Sequence, residues 1–270
     1  SSGLIALGIG AIIGAGLFVR TAAAAAQNAG PSVTIGFLIA AIGCALAGLC
    51  YAEPSSSIPI SGSAYTFPYA TMGEFLAWII GWDLILEYAV GAATGGIAWS
   101  EYLNNFLVEV LHSQPIPYEW CHSPLQTSPD GISGIINIPA LFIVTVISFL
   151  LMRGIQESSF VNGIIVVVKV TIVVLIIVLG WAYINPINHQ NYIPEPTVYT
   201  DHQGISYNFG GIMGILGAAG TVFFAFIGFD AVSTAAQETK APKRSMPIGI
   251  LGSLVICTVL YVLFAHVLTG

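Results

Sequence analysis

The sequence predicts an all-α integral membrane protein, and three observations carry that prediction. Of its 270 residues 56% are hydrophobic and only 7% charged, with a mean hydropathy of +0.87, whereas soluble domains run nearer a quarter charged. Uncharged apolar runs recur along the chain at roughly the 20-residue length that lets a helix cross a bilayer. Stretches such as Ile164 to Val168 and Ile172 to Leu179 are continuous, unlike the ten-residue alternation of a β-barrel strand.

In chain order the expected spans are 3–26, 32–52, 74–100, 135–152, 159–183, 210–237 and 247–270. The first and sixth carry glycines at mid-depth. The second, third and fifth are long enough to cross, and Gly and Ala throughout permit close helix contact. The seventh runs to Gly270, and the apolar pattern starts at Gly3 with no initiator Met, so the chain reads as clipped. Six Lys and Arg against thirteen Asp and Glu leave a net charge of -7, too few cations to bind nucleic acid by counterion release. The solvent partner is the lipid bilayer. Cys44, Cys50, Cys121 and Cys257 form no CxxC spacing, and His112, His122, His189, His202 and His266 show no ligand spacing, so no metal, disulfide framework or cofactor is expected.

Cations set the orientation, because Lys and Arg stay on the cytoplasmic side. Segments 53–73, 153–158 and 238–246 hold Arg153, Lys240, Lys243 and Arg244, whereas 27–31, 101–134 and 184–209 hold no Lys or Arg. The second set, with Glu119, Asp130, Glu195 and Asp201, is then external.

Glycines interrupt the first span at Gly8-Ile9-Gly10-Ala11-Ile12-Ile13-Gly14-Ala15-Gly16, and the sixth around Phe224 to Gly228. These segments lie five spans apart, an offset that inverts topology, so the pair points to an inverted repeat with a site between the breaks. In lipid a freed backbone group must face a cavity or a ligand. The start of one half-helix offers N–H groups to an anion and the end of another offers carbonyls to a cation, and a zwitterionic amino acid satisfies both. Tight small-residue packing is the alternative use of Gly14, Gly16 and Gly228.

Three ionisable residues fall inside spans: Glu87 in the third, Lys169 in the fifth and Asp230 just past the sixth-span break. Each costs roughly 2.5 to 3.5 kcal/mol at a helix centre unless paired or hydrated. Lys169 lies among Val166, Val167, Val168, Val170 and Ile172, where burial and a carboxylate neighbour would pull its charge state in opposite directions. Lys169 with Glu87 or Asp230 is therefore expected to form a proton-sensitive cluster, or else a static ion pair holding helices in register. Asp83 lies one helical turn before Glu87 and draws no chemical role. Arg20 lies about five residues beyond the first break and either snorkels or pairs with an acid.

The stretches GIGAIIGAGLFV (8–19), NAGPSV (28–33), GLCYAE (48–53), IPISGSAY (58–65), GEFLAWIIGWDLILEYAVG (73–91) and FFAFIGFDAVSTAAQE (223–238) resemble the amino acid-polyamine-organocation (APC) superfamily. They are closest to its bacterial branch similar to cationic amino acid transporters. The resemblance implies two inverted five-helix repeats, here truncated to about seven helices: 1–183 the first repeat and 184–270 part of the second. It also implies amino acid transport by alternating access at the cytoplasmic membrane. Carried over by position, the substrate carboxylate meets backbone around Ile13, Gly14, Ala15 and Gly16, the amine meets carbonyls around Phe224, Ala225 and Ile227, and Phe224 is the aromatic gate. Lys169 resembles the fifth-helix lysine that stands in for sodium in proton-coupled members, so protons are the expected partner ion. Pro54, Ser55 to Ser57 and Arg20 depart from the pattern. No enzyme constellation competes. Exchange of amino acids or polyamines without net proton flux, and a nontransporting sensor or assembly partner, are the alternatives.

Overall fold

Chain surrounded by lipid has to bond its backbone within itself, and helix is the local way to do so. The computed structural model describes residues 2–58, 60, 62–129, 131–152, 159–200, 206–237, 239 and 241–270. Arg153, Lys240, Asp130, Asp201 and His202, used above in the orientation and loop readings, lie outside the described residues.

Among the described residues ten α-helical segments follow one another: α1 Ser2–Ile12, α2 Thr21–Ala24, α3 Val33–Ser57, α4 Ser63–Thr71, α5 Glu74–Glu109, α6 Ile138–Met152, α7 Ser159–Gly180, α8 Gly211–Phe223, α9 Ala231–Thr234 and α10 Pro242–Thr269. Among the described residues five helical stretches are long and apolar enough to cross a membrane: Gly16–Ser57, Glu74–Glu109, Gly163–Tyr183, Gly211–Thr234 and Pro242–Thr269. The sequence pattern predicts seven. The difference has local causes. The first two expected spans run together in a 42-residue helical stretch, which if straight would be roughly 63 Å long, about twice a hydrocarbon core. The chain instead turns at Gly30 (φ 54, ψ -136). What precedes that stretch, α1, has 11 residues because it stops at the glycine break. The fourth span shortens to 15 residues: Asn137 caps it, its Oδ1 accepting the Ala140 N–H at 3.0 Å, which fixes the start of the helix.

Segment 53–73 is more helical than a loop. Helix α3 continues through Pro54 to Ser57, and α4 fills much of the remainder. In the segment expected to be external, β1 Thr197–Thr200 pairs antiparallel with β2 Ser206–Phe209, placing Thr197 opposite Phe209 and Thr200 opposite Ser206. Past this hairpin the Gly210 N–H donates to Asn28 O at 2.7 Å.

The chain divides into two compact units, Ser1–Ile80 with Ser158–Gly270, and Gly81–Glu157. Within the first, α3 packs against α8 and α10, and α1 packs against α7 and α10. Its core contains a three-ring cluster of Phe37, Phe226 and Tyr261, with centroids 5.2 to 6.2 Å apart. Ile42, Leu46 and Val167 stand exposed on its outside, as a surface solvated by lipid tails requires. Within the second, Gly96 lets α5 approach α6 so closely that a Cβ there would lie 3.0 Å from Val144 Cγ2, the small-residue contact typical of membrane helices. Burial pushes the Cys121 thiol of this unit upward, and a hydrogen bond with Ser100 lowers it by a lesser amount.

Candidate functional site

Helix α1 ends at Ile12, Ile13 and Gly14 form a bend, and helical winding resumes in a π-helical turn Gly16–Arg20. The Ile13 N–H still donates to Ile9 O at 2.9 Å. A helix that stops there deprives the carbonyls of Gly10, Ala11 and Ile12 of their usual donors four residues on. Side chains from distant spans meet two of the three. Lys169 Nζ on α7 donates to Gly10 O at 3.0 Å, and the Tyr261 hydroxyl on α10 donates to Ile12 O at 2.9 Å. Beyond the bend, the Leu17 N–H reaches Gly14 O at 3.3 Å. Among the described residues, no backbone hydrogen bond outside the regular elements begins at the N–H of Gly14 or Ala15.

The sixth span is also broken. Helix α8 passes at Phe224–Phe226 into a 3-10 turn, Ile227 is extended (φ -55, ψ 138), Gly228 takes φ 107, and the short α9 follows. The φ of Gly228 is one that residues with a side chain rarely adopt. A Cβ there would also lie 2.7 Å from Ala11 O. The two breaks touch: a Cβ on Gly16 would lie 2.8 Å from Ala225 Cα and 3.2 Å from Phe224 O. Gly14, two residues earlier, has no atom within 4 Å of where its Cβ would be, so tight packing accounts for Gly16 and Gly228 but not for Gly14.

One side chain serves both breaks. The fully buried Tyr261 hydroxyl lies 2.9 Å from Ile12 O and 3.0 Å from Ala225 O, sharing its single proton between carbonyls that broken helices set free. Sequence reasoning passed over this residue. The available signal was a lone phenol in an apolar span, since a buried Tyr hydroxyl usually finds a partner.

Ile13, Gly14, Ala15, Gly16, Phe224, Ala225 and Ile227 thus all lie on the two breaks. Ile13 and Ala225 are buried, and the other five are half-buried. The half-buried Lys169 reaches the first break through Gly10 O. Asp230 is buried directly before α9, where its carbonyl oxygen accepts from Ser233 Oγ at 2.6 Å. Glu87 is half-buried on α5 in the other unit, with Asp83 exposed one turn before it. Arg20 is exposed, and its guanidinium carbon lies 5.6 Å from the centroid of the Phe224 ring. His266 is half-buried and stacks on His189 at 4.5 Å. No group of three or more His, Cys, Asp or Glu able to hold a metal occurs among the described residues.

Known proteins share this chain's sequence along its length. It is 45% identical over 270 residues to the branched-chain amino acid permease BcaP of Bacillus subtilis (strain 168), covering 99% of this chain and 53% of that protein. To the methylthioribose transporter of the same strain it is 43% identical over 269 residues, with the same coverage of 99% and 53%. To cationic amino acid transporter 3, mitochondrial, of Arabidopsis thaliana it is 36% identical over 273 residues, covering 99% of this chain and 41% of the relative. The chain therefore spans about half the length of the curated relatives it matches. Since the family described as amino acid permease matches it from residue 2 to residue 270, the chain belongs to that family, in the APC superfamily.

Proposed function

We propose that the complete protein carries amino acids across the cytoplasmic membrane by alternating access, coupled to protons, with the two helix breaks as its substrate site. The observation that carries this reading is the meeting of the breaks at Gly16, Phe224 and Ala225. A zwitterion needs donors and acceptors a few ångströms apart. The N–H groups of Gly14, Ala15 and Gly16, just past Ile13 whose own N–H stays on Ile9 O, are the donors, since the start of a helical segment favours an anion. Carbonyls around Phe224, Ala225 and Ile227 are the acceptors. Tyr261 already occupies Ala225 O, so an arriving ammonium shares or displaces that hydroxyl. The open space at Gly14 gives the carboxylate room, and Phe224 closes over the guest. In this reading residues 1–183 form one inverted repeat and 184–270 part of the second.

Proton coupling rests on Lys169. Its ammonium holds Gly10 O at the edge of the first break, and loss of the proton would weaken that grip because a neutral amine is a poorer donor. The carboxylate of the expected cluster is Glu87 or Asp230, of which Asp230 lies in the same compact unit as Lys169. The test is uptake of radiolabelled alanine and leucine by the full-length protein in proteoliposomes, with and without an inward proton gradient. Gradient-driven uptake that loses its pH dependence in Lys169→Ala is the expected result. An unchanged pH profile in that variant removes the lysine from the coupling, and wild-type protein that neither binds nor moves any amino acid removes the transport reading.

A further inference from the structure

Arg20 has no task in the scheme above, yet it touches the machinery. It closes the π-helical turn that follows the first break, and its guanidinium lies over the ring of Phe224 in the second. A cation over an aromatic face at this distance is held by the ring quadrupole. Phe224 is constrained from its backbone side as well, because Gly16 packs against its carbonyl oxygen. The first segment therefore meets Phe224 twice, Arg20 at its ring and Gly16 at its backbone. The ring is half-buried and Arg20 is exposed. Exposure to lipid tails is among the costliest placements for an arginine, and such residues turn instead to water-filled cavities. Here the guanidinium turns to the Phe224 ring, at the edge of the two breaks.

We propose that Arg20 is a charge filter that sets the substrate class, excluding amino acids with cationic side chains and passing neutral ones. The proposal rests on reading the breaks as an amino acid site. An arginine keeps its charge at physiological pH, and like charges brought together where water is scarce penalise the wrong guest strongly, which is how specificity is achieved by repulsion. A leucine or alanine side chain meets no such penalty. The Lys169 ammonium on Gly10 O adds charge of the same sign near the first break.

The experiment measures the ratio of arginine to leucine uptake by the full-length protein in proteoliposomes, a ratio unaffected by overall activity. Wild-type protein is expected to favour leucine by at least about tenfold. Arg20→Leu and Arg20→Gln, both neutral, are expected to raise the arginine share by about tenfold or more, and Arg20→Lys, which keeps the charge, to retain the wild-type ratio. Two neutral variants keep the test decisive should one fail to assemble, and competition of leucine uptake by unlabelled arginine in wild-type protein needs no variant. Equal uptake of both amino acids by wild type, or an unchanged ratio in the neutral variants, overturns the filter. Wild-type protein inert toward every amino acid instead overturns the reading beneath it.

Discussion

The two interruptions meet, but they are held open in different ways. Around the first, no residue takes a left-handed backbone: Ala15 is right-handed helical (φ -56, ψ -27), and winding resumes at once. Donors from elsewhere occupy two of the three carbonyls it exposes, Lys169 on Gly10 O and Tyr261 on Ile12 O. In the second, the chain itself is bent out of helix by an extended Ile227 and by Gly228 at φ 107. Side-chain partners thus maintain one break, and backbone geometry fixes the other.

The sharpest way to break this comparison is Gly228→Ala. A non-glycine residue in a sparsely populated region costs about 1 to 3 kcal/mol, and here the new methyl also meets Ala11 O at 2.7 Å, a backbone atom that yields little. Loss of folded protein, or a melting temperature lowered by several degrees with uptake reduced more than about tenfold, is the expected outcome in full-length protein. Gly16→Ala should fall next in severity. It keeps an allowed φ but drives a methyl to 2.8 Å from Ala225 Cα, an overpacking that costs about 1 to 3 kcal/mol. Wild-type melting in Gly228→Ala would show that the second break is not fixed by its backbone.

How far the sequence could be read depends on the scale of the signal. The apolar runs forecast helices, and the glycines at 14, 16 and 228 marked both breaks, because each is a local property of the chain. Span boundaries were less legible: the 42-residue stretch Gly16–Ser57 hides its turn at Gly30, and Asn137 trims α6 by a cap that hydropathy does not register. Tyr261 went unnoticed because its role is nonlocal, joining Ile12 and Ala225 from 249 and 36 residues away. The Arg20–Phe224 contact was missed for the same reason. Two residues roughly 200 positions apart in the sequence become neighbours only when the broken spans are packed side by side.

Tyr261→Phe sharpens the comparison, since it removes a donor common to both breaks while keeping the ring. Leaving buried carbonyls unsatisfied costs about 1 to 3 kcal/mol, so a modest fall in melting temperature is expected, smaller than for Gly228→Ala. Losing the hydroxyl also frees Ala225 O for an incoming ammonium. If that carbonyl is an acceptor for substrate, the variant should melt earlier without substrate yet gain more from added leucine than the wild type does, because a ligand bound only to the folded state stabilises by mass action. Equal ligand-induced shifts in the two proteins would mean that Ala225 O is not where the amine binds.

The smallest expected effect on stability is that of Gly14→Ala, and its smallness is the point. Gly14 has no left-handed φ and no atom within 4 Å of a new Cβ, so the substitution causes neither strain nor clash. Replacing a glycine in a compatible conformation stabilises by about 0.4 to 1 kcal/mol through the unfolded chain, and the melting temperature should hold or rise slightly. Substrate affinity should move the other way. If the carboxylate occupies the open space beside Gly14, a methyl there crowds it, and KM for leucine should rise severalfold while folding is untouched. Gly16→Ala lowers stability and affinity together; Gly14→Ala should separate them. Unchanged KM alongside unchanged melting would leave that space without a guest and confine binding to the second break.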